Sequence, residues 1–196
     1  MSTDERILEA ALRVFMEEGL RGATTRRIAQ EAGVNEVTLF RRFGTKEGLL
    51  IAAMKRDAQV SAPQLPDPSD DPERDLTAWM HATARRLIRF RGLIRATMEQ
   101  FEGNPELCQR THEGPARIRE HLTGWFAGLR DQGKAHGTWH PESVARLLMG
   151  GIFGEIMRPD APLDPDLSAL DWQLDEFARL VLAAIRAGND ETRELS

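Results

Sequence analysis

The stretch that decides the fold is TTRRIAQEAGVNEVTLFRRFGTK, residues 24–46. Its first part places Ile28 and Ala32 on one helical face, behind a threonine that can cap the start of the helix. Gly33 can adopt a positive φ without steric cost, so it predicts the end of that helix and a tight turn. Asn35 is a favourable cap for a second helix.

In that second helix, Leu39 and Phe43 are spaced i, i+4 and therefore share the face that must be buried. The opposite face then carries Glu36, Val37, Thr38, Phe40, Arg41 and Arg42. Thr45 is expected to cap a third helix that begins at Lys46. Two short helices joined through glycine, with a cationic outer face, have the geometry of a helix-turn-helix whose second helix enters the major groove of DNA.

Charge is distributed unevenly along the chain. A formal net charge of −5 argues at first against DNA, because a phosphate-binding protein must release counterions with its own cations. Between residues 21 and 46, however, six basic side chains stand against two acidic ones, which gives a local net charge of +4. Beyond residue 60 acidic residues dominate. This pattern is typical of a DNA-binding head attached to a separate module.

The chain has 196 residues, of which 41% are hydrophobic, so one or two domains with a sizeable core can form. Apolar spacings of three and four recur without period-two alternation, which predicts an all-α fold of about nine helices. The proline- and aspartate-rich segment 61–75 cannot continue a helix. It divides a helix-turn-helix domain (1–60), with a three-helix DNA-binding core, from a helical effector-binding and dimerisation domain (61–196).

The second domain is expected to contain several helices. One starts near Leu76 and breaks at Gly92, and another begins at Pro105 and continues past His112 to about Gly133. Two further helices cover about 141–158 and 170–187.

A single cysteine, Cys108, rules out an internal disulfide and is typical of a reducing compartment. No run approaches the about 20 apolar residues of a membrane span. We therefore expect a cytoplasmic protein that does not bind membranes.

Residues 5–55 resemble the TetR family of bacterial transcriptional regulators. The residues that carry the resemblance are Ala10, Ala11, Phe15, Gly19, Thr24, Thr25, Ile28, Ala29, Ala32, Gly33, Val34, Thr38, Leu39, Phe40, Phe43, Lys46, Glu47, Leu49 and Leu50. Beyond residue 60 the resemblance rests on the helix pattern and a weak likeness around residues 132–151.

The resemblance implies a homodimer that binds a partly palindromic DNA operator, usually as a repressor, and that is released by a small molecule in its C-terminal domain. Phe40 stands where the family commonly has tyrosine, which removes a hydroxyl-to-phosphate bond. Val37 replaces a commonly smaller residue and can contact a thymine methyl group. The predicted DNA-binding residues are Thr25, Arg26, Arg27, Glu36, Val37, Thr38, Phe40, Arg41, Arg42 and Lys46.

Large apolar side chains at helical spacing in the second domain can either line an effector cavity or form ordinary core. The predicted effector-binding residues are Trp79, Thr83, Leu87, Ile94, Met98, Phe101, Trp125 and Phe153. Their character favours a hydrophobic effector of unknown identity. The alternative is a regulator of the same fold controlled by a partner protein or by no ligand.

Two other patterns have simpler readings. A basic run from Arg85 to Arg95 can meet an anionic ligand, but a solvated face paired with the acidic linker explains it more simply. Cys108 and His112 are spaced for metal, yet lone surface histidines are commoner, so no metal or other cofactor is predicted. No catalytic constellation or phosphate loop indicates an enzyme.

Three glycines of the penultimate helix, Gly150, Gly151 and Gly154, favour a homodimer interface made with the last helix.

Overall fold

The computed structural model describes residues 1–101, 113–158 and 167–187. Every regular element in these ranges is an α-helix, which confirms the all-α prediction. The described helices are α1 (Thr3–Gly22), α2 (Thr25–Ala32), α3 (Glu36–Phe43), α4 (Lys46–Ser61), α5 (Pro72–Phe101), α6 (Glu113–Asp131), α7 (Pro141–Met157) and α8 (Ser168–Arg186). They number eight against the about nine expected; the predicted helix start at Pro105, with Cys108 and His112, lies outside the described residues.

The first compact unit comprises Met1–Ala62 together with residues 89–101 of α5. Its core is formed by apolar side chains that recur at helical spacing in α1 to α5. They include Ile7, Phe15, Ile28, Leu39, Leu49, Leu50, Phe90 and Leu93. Because α2 and α3 are short, this shared core rather than helix propensity holds them in place.

The start of α1 is fixed by a reciprocal capping box. The backbone N–H of Glu5 donates to the hydroxyl of Ser2 (3.2 Å), and the Ser2 N–H donates to the Glu5 carboxylate (2.6 Å). The Ser2 backbone hydrogen bond holds the pKa of Glu5 below its usual value.

The second unit comprises Pro63–Ile88 with the described residues from 115 onward. Its core contains Leu76, Met80, Leu122, Phe126, Leu148, Ile152, Leu174 and Leu182. In this unit α7 and α8 pack closely, because a Cβ added at Gly151 would lie 3.1 Å from a ring carbon of Phe177. Gly151 therefore allows a close contact between two helices of the same chain. A Cβ added at Gly150 or Gly154 would have no neighbouring atom within 4 Å.

The segment between α4 and α5 is docked on the second unit. The indole N–H of Trp79 donates to the carbonyl of Pro63 (3.2 Å), and Nε2 of His121 lies 3.0 Å from the carbonyl oxygen of Leu65. Lys134 donates to the carbonyl of Ser69 at 2.7 Å. The segment thus ends α4 as expected. That the two units divide DNA binding from effector binding stays a prediction.

The predicted helix break at Gly92 is wrong, because α5 continues through this residue for 30 residues in all. A single glycine costs a helix about 1 kcal/mol relative to alanine. The neighbouring side chains of Phe90, Arg91 and Leu93 are buried in the first unit, and this burial outweighs that cost. Arg91 is only 4% exposed, so the basic run does not form a uniformly solvated face.

Candidate nucleic-acid interface

The helix-turn-helix is built by local caps that the sequence specifies. The hydroxyl of Thr24 accepts the backbone N–H of Arg27 (3.2 Å) and begins α2. Gly33 ends it in the left-handed conformation (φ 65°, ψ 40°), and the N–H of Val34 then donates to the carbonyl of Ala29 (3.0 Å). Asn35 Oδ1 accepts the N–H of Val37 at 2.9 Å and starts α3.

Burial separates the two faces of α3. Leu39 is 2% exposed and Phe43 packs against the same core, as the sequence predicts. On the other side, Val37 is 71% exposed and Phe40 is 50% exposed. Arg41 and Arg42 are exposed as well. We call Val37, Phe40, Arg41 and Arg42 the α3 surface.

Two predicted DNA contacts are engaged with each other. The hydroxyl of Thr25 on α2 donates to Oε1 of Glu36 on α3, at 2.5 Å. A hydroxyl has one hydrogen to donate, so Thr25 cannot give it to a phosphate at the same time. The contact instead links α2 to α3 and fixes the Glu36 carboxylate at the first turn of α3, where it also favours the helix dipole.

The cationic side chains differ in whether they already form ion pairs with carboxylates of the protein. Arg42 pairs with Asp4 of α1. Arg27 lies 3.7 Å from carboxylate oxygens of both Glu18 and Glu31. The pairs of Arg42 with Asp4 and of Arg27 with Glu18 could not be foreseen, because each joins residues of different helices. Arg27 and Glu31, in contrast, have the i, i+4 spacing within α2 that favours a pair.

Arg26 and Arg41 stand apart from the other cations. Both are exposed, and neither has an ion pair or hydrogen bond within the described ranges. An exposed guanidinium without a protein partner can bind phosphate without first breaking a contact.

Lys46 is anchored at the beginning of α4. Its ammonium donates to the carbonyl of Ala23 (3.1 Å), where α1 ends and α2 has not yet begun. It also lines a cleft of about 370 Å³ in the first unit, together with Leu20, Arg21, Ala96 and Glu99. Arg21 and Glu99, two of the lining residues, form an ion pair of 3.1 Å. Sequence reasoning missed the cleft because residues 96 and 99 lie far along the chain.

The beginning of α4 also depends on a close backbone approach. Thr45 caps the helix by accepting the N–H of Gly48 at 3.0 Å. A Cβ on Gly48 would lie 2.5 Å from the carbonyl oxygen of Phe43, the last residue of α3. Only glycine fits there, so this residue sets the tight connection between α3 and α4.

The predicted effector residues are not all placed in one core. Trp79, Leu87 and Trp125 belong to the core of the second unit, where Thr83 is also buried. Ile94 packs against the core of the first unit, and Met98 is 56% exposed. Phe153 is half-buried in the second unit, and the side chain of Phe101 lies outside the described residues.

Two of the predicted effector residues each carry a buried polar atom that has no hydrogen-bond partner among the described residues. These atoms are the hydroxyl of Thr83 and the indole N–H of Trp125. Thr83 is 3% exposed and Trp125 is 4% exposed. Each such group costs about 1–3 kcal/mol if it stays unpaired. A bound molecule can supply the missing partners.

The described residues contain neither a candidate metal site nor a candidate membrane-spanning helix. Within residues 1–101, 113–158 and 167–187 no group of three or more His, Cys, Asp or Glu side chains is arranged to hold a metal ion. In the same ranges no helix has the length and apolar character needed to cross a membrane.

Comparison with known proteins agrees with this architecture. Residues 7–53 match the family model for bacterial regulatory proteins of the tetR family. The chain is 26% identical over 152 residues to the HTH-type transcriptional regulator YvkB of Bacillus subtilis, a match that covers 78% of this chain and 80% of YvkB. It is 43% identical over 54 residues to the HTH-type transcriptional repressor AcnR of Corynebacterium glutamicum, which covers 28% of this chain and 29% of AcnR.

The fold is shared more widely than the sequence. The crystal structure of a TetR-family regulator from Mesorhizobium loti superposes with a TM-score of 0.78 at 22% identity, covering 93% of this chain and 96% of that one. Fold and interface together define a helix-turn-helix transcriptional regulator. The match over residues 7–53 shows that the N-terminal helix-turn-helix is of the TetR family, which confirms the resemblance seen in residues 5–55.

Proposed function

We propose that this protein is a ligand-responsive transcriptional repressor that binds a partly palindromic operator as a homodimer and is released by a small hydrophobic effector. The observation that carries the proposal is the α3 surface, a solvent-facing side of the second helix of a helix-turn-helix. Arg41 supplies an uncommitted cation there, and Arg26 supplies another on α2. The name of AcnR as a repressor supports repression rather than activation.

Dimerisation is supported by an apolar surface on α7 and α8. Leu147 is 70% exposed, Trp172 63% and Leu180 58%. Trp172 and Leu180 are eight residues apart and share one face of α8. On α7, the exposed glycines Gly150 and Gly154 remove side chains near Leu147, which lets a second copy approach closely. This surface is the proposed homodimer interface.

Effector control is supported by the two buried polar groups of the second unit. A mainly apolar molecule with an oxygen acceptor can satisfy the N–H of Trp125, and its polar group can pair with Thr83. Trp125 belongs to the apolar core of the second unit, which fits a hydrophobic effector.

The decisive experiment is selection of duplexes from a random library by the full-length protein, followed by affinity measurement and light scattering. We expect a palindromic half-site pair whose centres are about 34–36 Å apart, bound by a dimer. Inserting five base pairs between the half-sites should abolish binding, because it turns one half-site to the other side of the duplex. A monomer at micromolar concentration, or no enriched sequence, contradicts the proposal.

Effector control needs its own measurement. Operator release by a panel of apolar small molecules is followed by fluorescence anisotropy, with Trp125→Phe as the variant that keeps a smaller aromatic ring and removes the N–H. We expect release from the wild type and a weaker response from Trp125→Phe. A protein that no panel member releases, and that carries no co-purified molecule in native mass spectrometry, contradicts small-molecule control.

A further inference from the structure

We propose that Val37 and Phe40 form an apolar reading patch that recognises the C5-methyl group of thymine in the operator half-site. This inference rests on the proposed DNA-binding function and names the base feature that α3 reads. It identifies two specificity-determining side chains where a helix-turn-helix is usually expected to use hydrogen-bonding ones.

The exposure of these two residues requires an explanation. Val37 is 71% exposed and Phe40 is 50% exposed, and a spacing of three places them together on the outer side of α3. The opposite side of the helix packs on the core through Leu39 and Phe43. Two adjacent large apolar side chains in water on an eight-residue helix gain nothing for the isolated protein, so a partner surface is the physical reason for them.

The polar neighbours do not take over base reading. Glu36 already accepts a 2.5 Å hydrogen bond from Thr25, and Arg42 already pairs with Asp4. Arg41 is the cation of the α3 surface without such a commitment within the described ranges, and phosphate is the usual target of an isolated arginine. Apart from Thr38, which is half-buried, the side chains of α3 that are left for the base edges are therefore apolar.

In the major groove, thymine presents a methyl group beside its O4 acceptor, whereas the edges of the other three bases carry no methyl group. Valine offers two methyl groups that are rigid about χ1, so it can pack against this group with little loss of entropy. Opposite cytosine, the same valine would cover an amino group without offering an acceptor, which is unfavourable. Phe40 has no hydroxyl for a phosphate and adds apolar area beside Val37. In this arrangement the cations around the patch hold α3 against the phosphate backbone of the DNA.

The test uses deoxyuridine, which lacks only the methyl group of thymine. Each thymine of the selected operator is replaced in turn, and the affinity of the full-length protein is measured by fluorescence anisotropy at fixed salt. For the wild type we expect about a fourfold loss for at least one position in each half-site, the value for one methyl group removed from an apolar contact. In Val37→Ala or Phe40→Ala, replacing that thymine by deoxyuridine should lower the operator affinity little further.

A second substitution adds the methyl group back on a different base. The sensitive thymine is changed to cytosine and then to 5-methylcytosine, each paired with guanine. The methylated form should bind the wild type about fourfold more tightly than the unmethylated form, and the difference should vanish in Val37→Ala. The matched control is Val60→Ala, at a valine that is 72% exposed at the end of α4 and should keep the full dependence on the methyl group.

The outcomes separate this inference from the function beneath it. If duplexes are selected but no thymine methyl contributes to wild-type affinity, the reading patch is wrong and the DNA-binding function stands. The same holds if the methyl contribution persists in both Val37→Ala and Phe40→Ala, since DNA shape rather than these side chains then causes it. If no duplex is selected at all, both proposals fail. Circular dichroism confirms that the two variants keep the helical fold.

Discussion

The guanidinium of Arg42, near the end of α3, forms an ion pair and hydrogen bond with the carboxylate of Asp4 in the first turn of α1. The two side chains are 38% and 48% exposed, so the pair lies at the surface and can open. In the DNA complex that we propose, a phosphate competes with Asp4 for the guanidinium of Arg42, because Arg42 belongs to the α3 surface. Asp4 is therefore placed to weaken DNA binding in the free protein.

Asp4→Asn should raise operator affinity about two- to fivefold at low salt. A surface ion pair contributes about 0.2–1 kcal/mol, and removing its carboxylate leaves Arg42 free for phosphate. Asparagine keeps a side chain of similar size in the first turn of α1. Fluorescence titration of a labelled operator across a salt series measures the change.

The control for that change in charge is Glu9→Gln. Glu9 lies on the same helix and is 51% exposed, but it pairs with Arg13 at 3.9 Å instead of Arg42. A general reduction of negative charge would raise affinity equally in both variants. An Asp4→Asn affinity no higher than that of Glu9→Gln would refute competition at Arg42.

Arg41→Ala should weaken operator binding and reduce its salt dependence, by about one phosphate contact for each protomer. Its side chain is exposed and has no ion pair in the described part of the chain, so the fold should stay intact. Arg146→Ala removes the same charge from α7, where the side chain is 62% exposed and pairs with Glu142. Equal affinity and salt slope for the two variants would contradict the role given to Arg41.

Local signals in the sequence predicted the helix-turn-helix well. Thr24, Gly33, Asn35 and Thr45 each act within two to five residues along the chain, so their caps and turns follow from residue type alone. The buried position of Leu39 follows from helical periodicity. These features are local, and local chemistry is what a single sequence contains most directly.

Contacts between distant residues were not predictable in the same way. Lys46 was expected to hold a phosphate, but the structure also gives its ammonium a bond to the Ala23 carbonyl. The pairing of Arg42 with Asp4 spans 38 residues and depends on how α1 packs against the other helices. The helix break predicted at Gly92 was wrong for a related reason, because burial of the neighbouring side chains maintains the helix.

Two glycine substitutions within helices should have opposite effects on stability. Gly92→Ala should stabilise the protein by about 0.5–1 kcal/mol, because the added Cβ has nothing within 4 Å and alanine favours the helix. Gly48→Ala should destabilise it by about 1–3 kcal/mol, since the Cβ would meet the Phe43 carbonyl at 2.5 Å. Urea unfolding of both variants measures this; a shift of the same sign in both would contradict the geometry of the α3–α4 connection.

Leu180→Arg should convert the dimer into monomers without unfolding them. Leu180 is 58% exposed on the side of α8 that also presents Trp172, so the substitution costs the single chain little. In a symmetric interface it introduces two charges, one from each protomer, and weakens association about 100-fold or more. Light scattering at micromolar concentration, with circular dichroism, measures both properties. Val60→Arg, at a 72% exposed valine of α4, should remain dimeric. A Leu180→Arg protein that is still dimeric would place the interface elsewhere, and operator affinity would then stay unchanged as well.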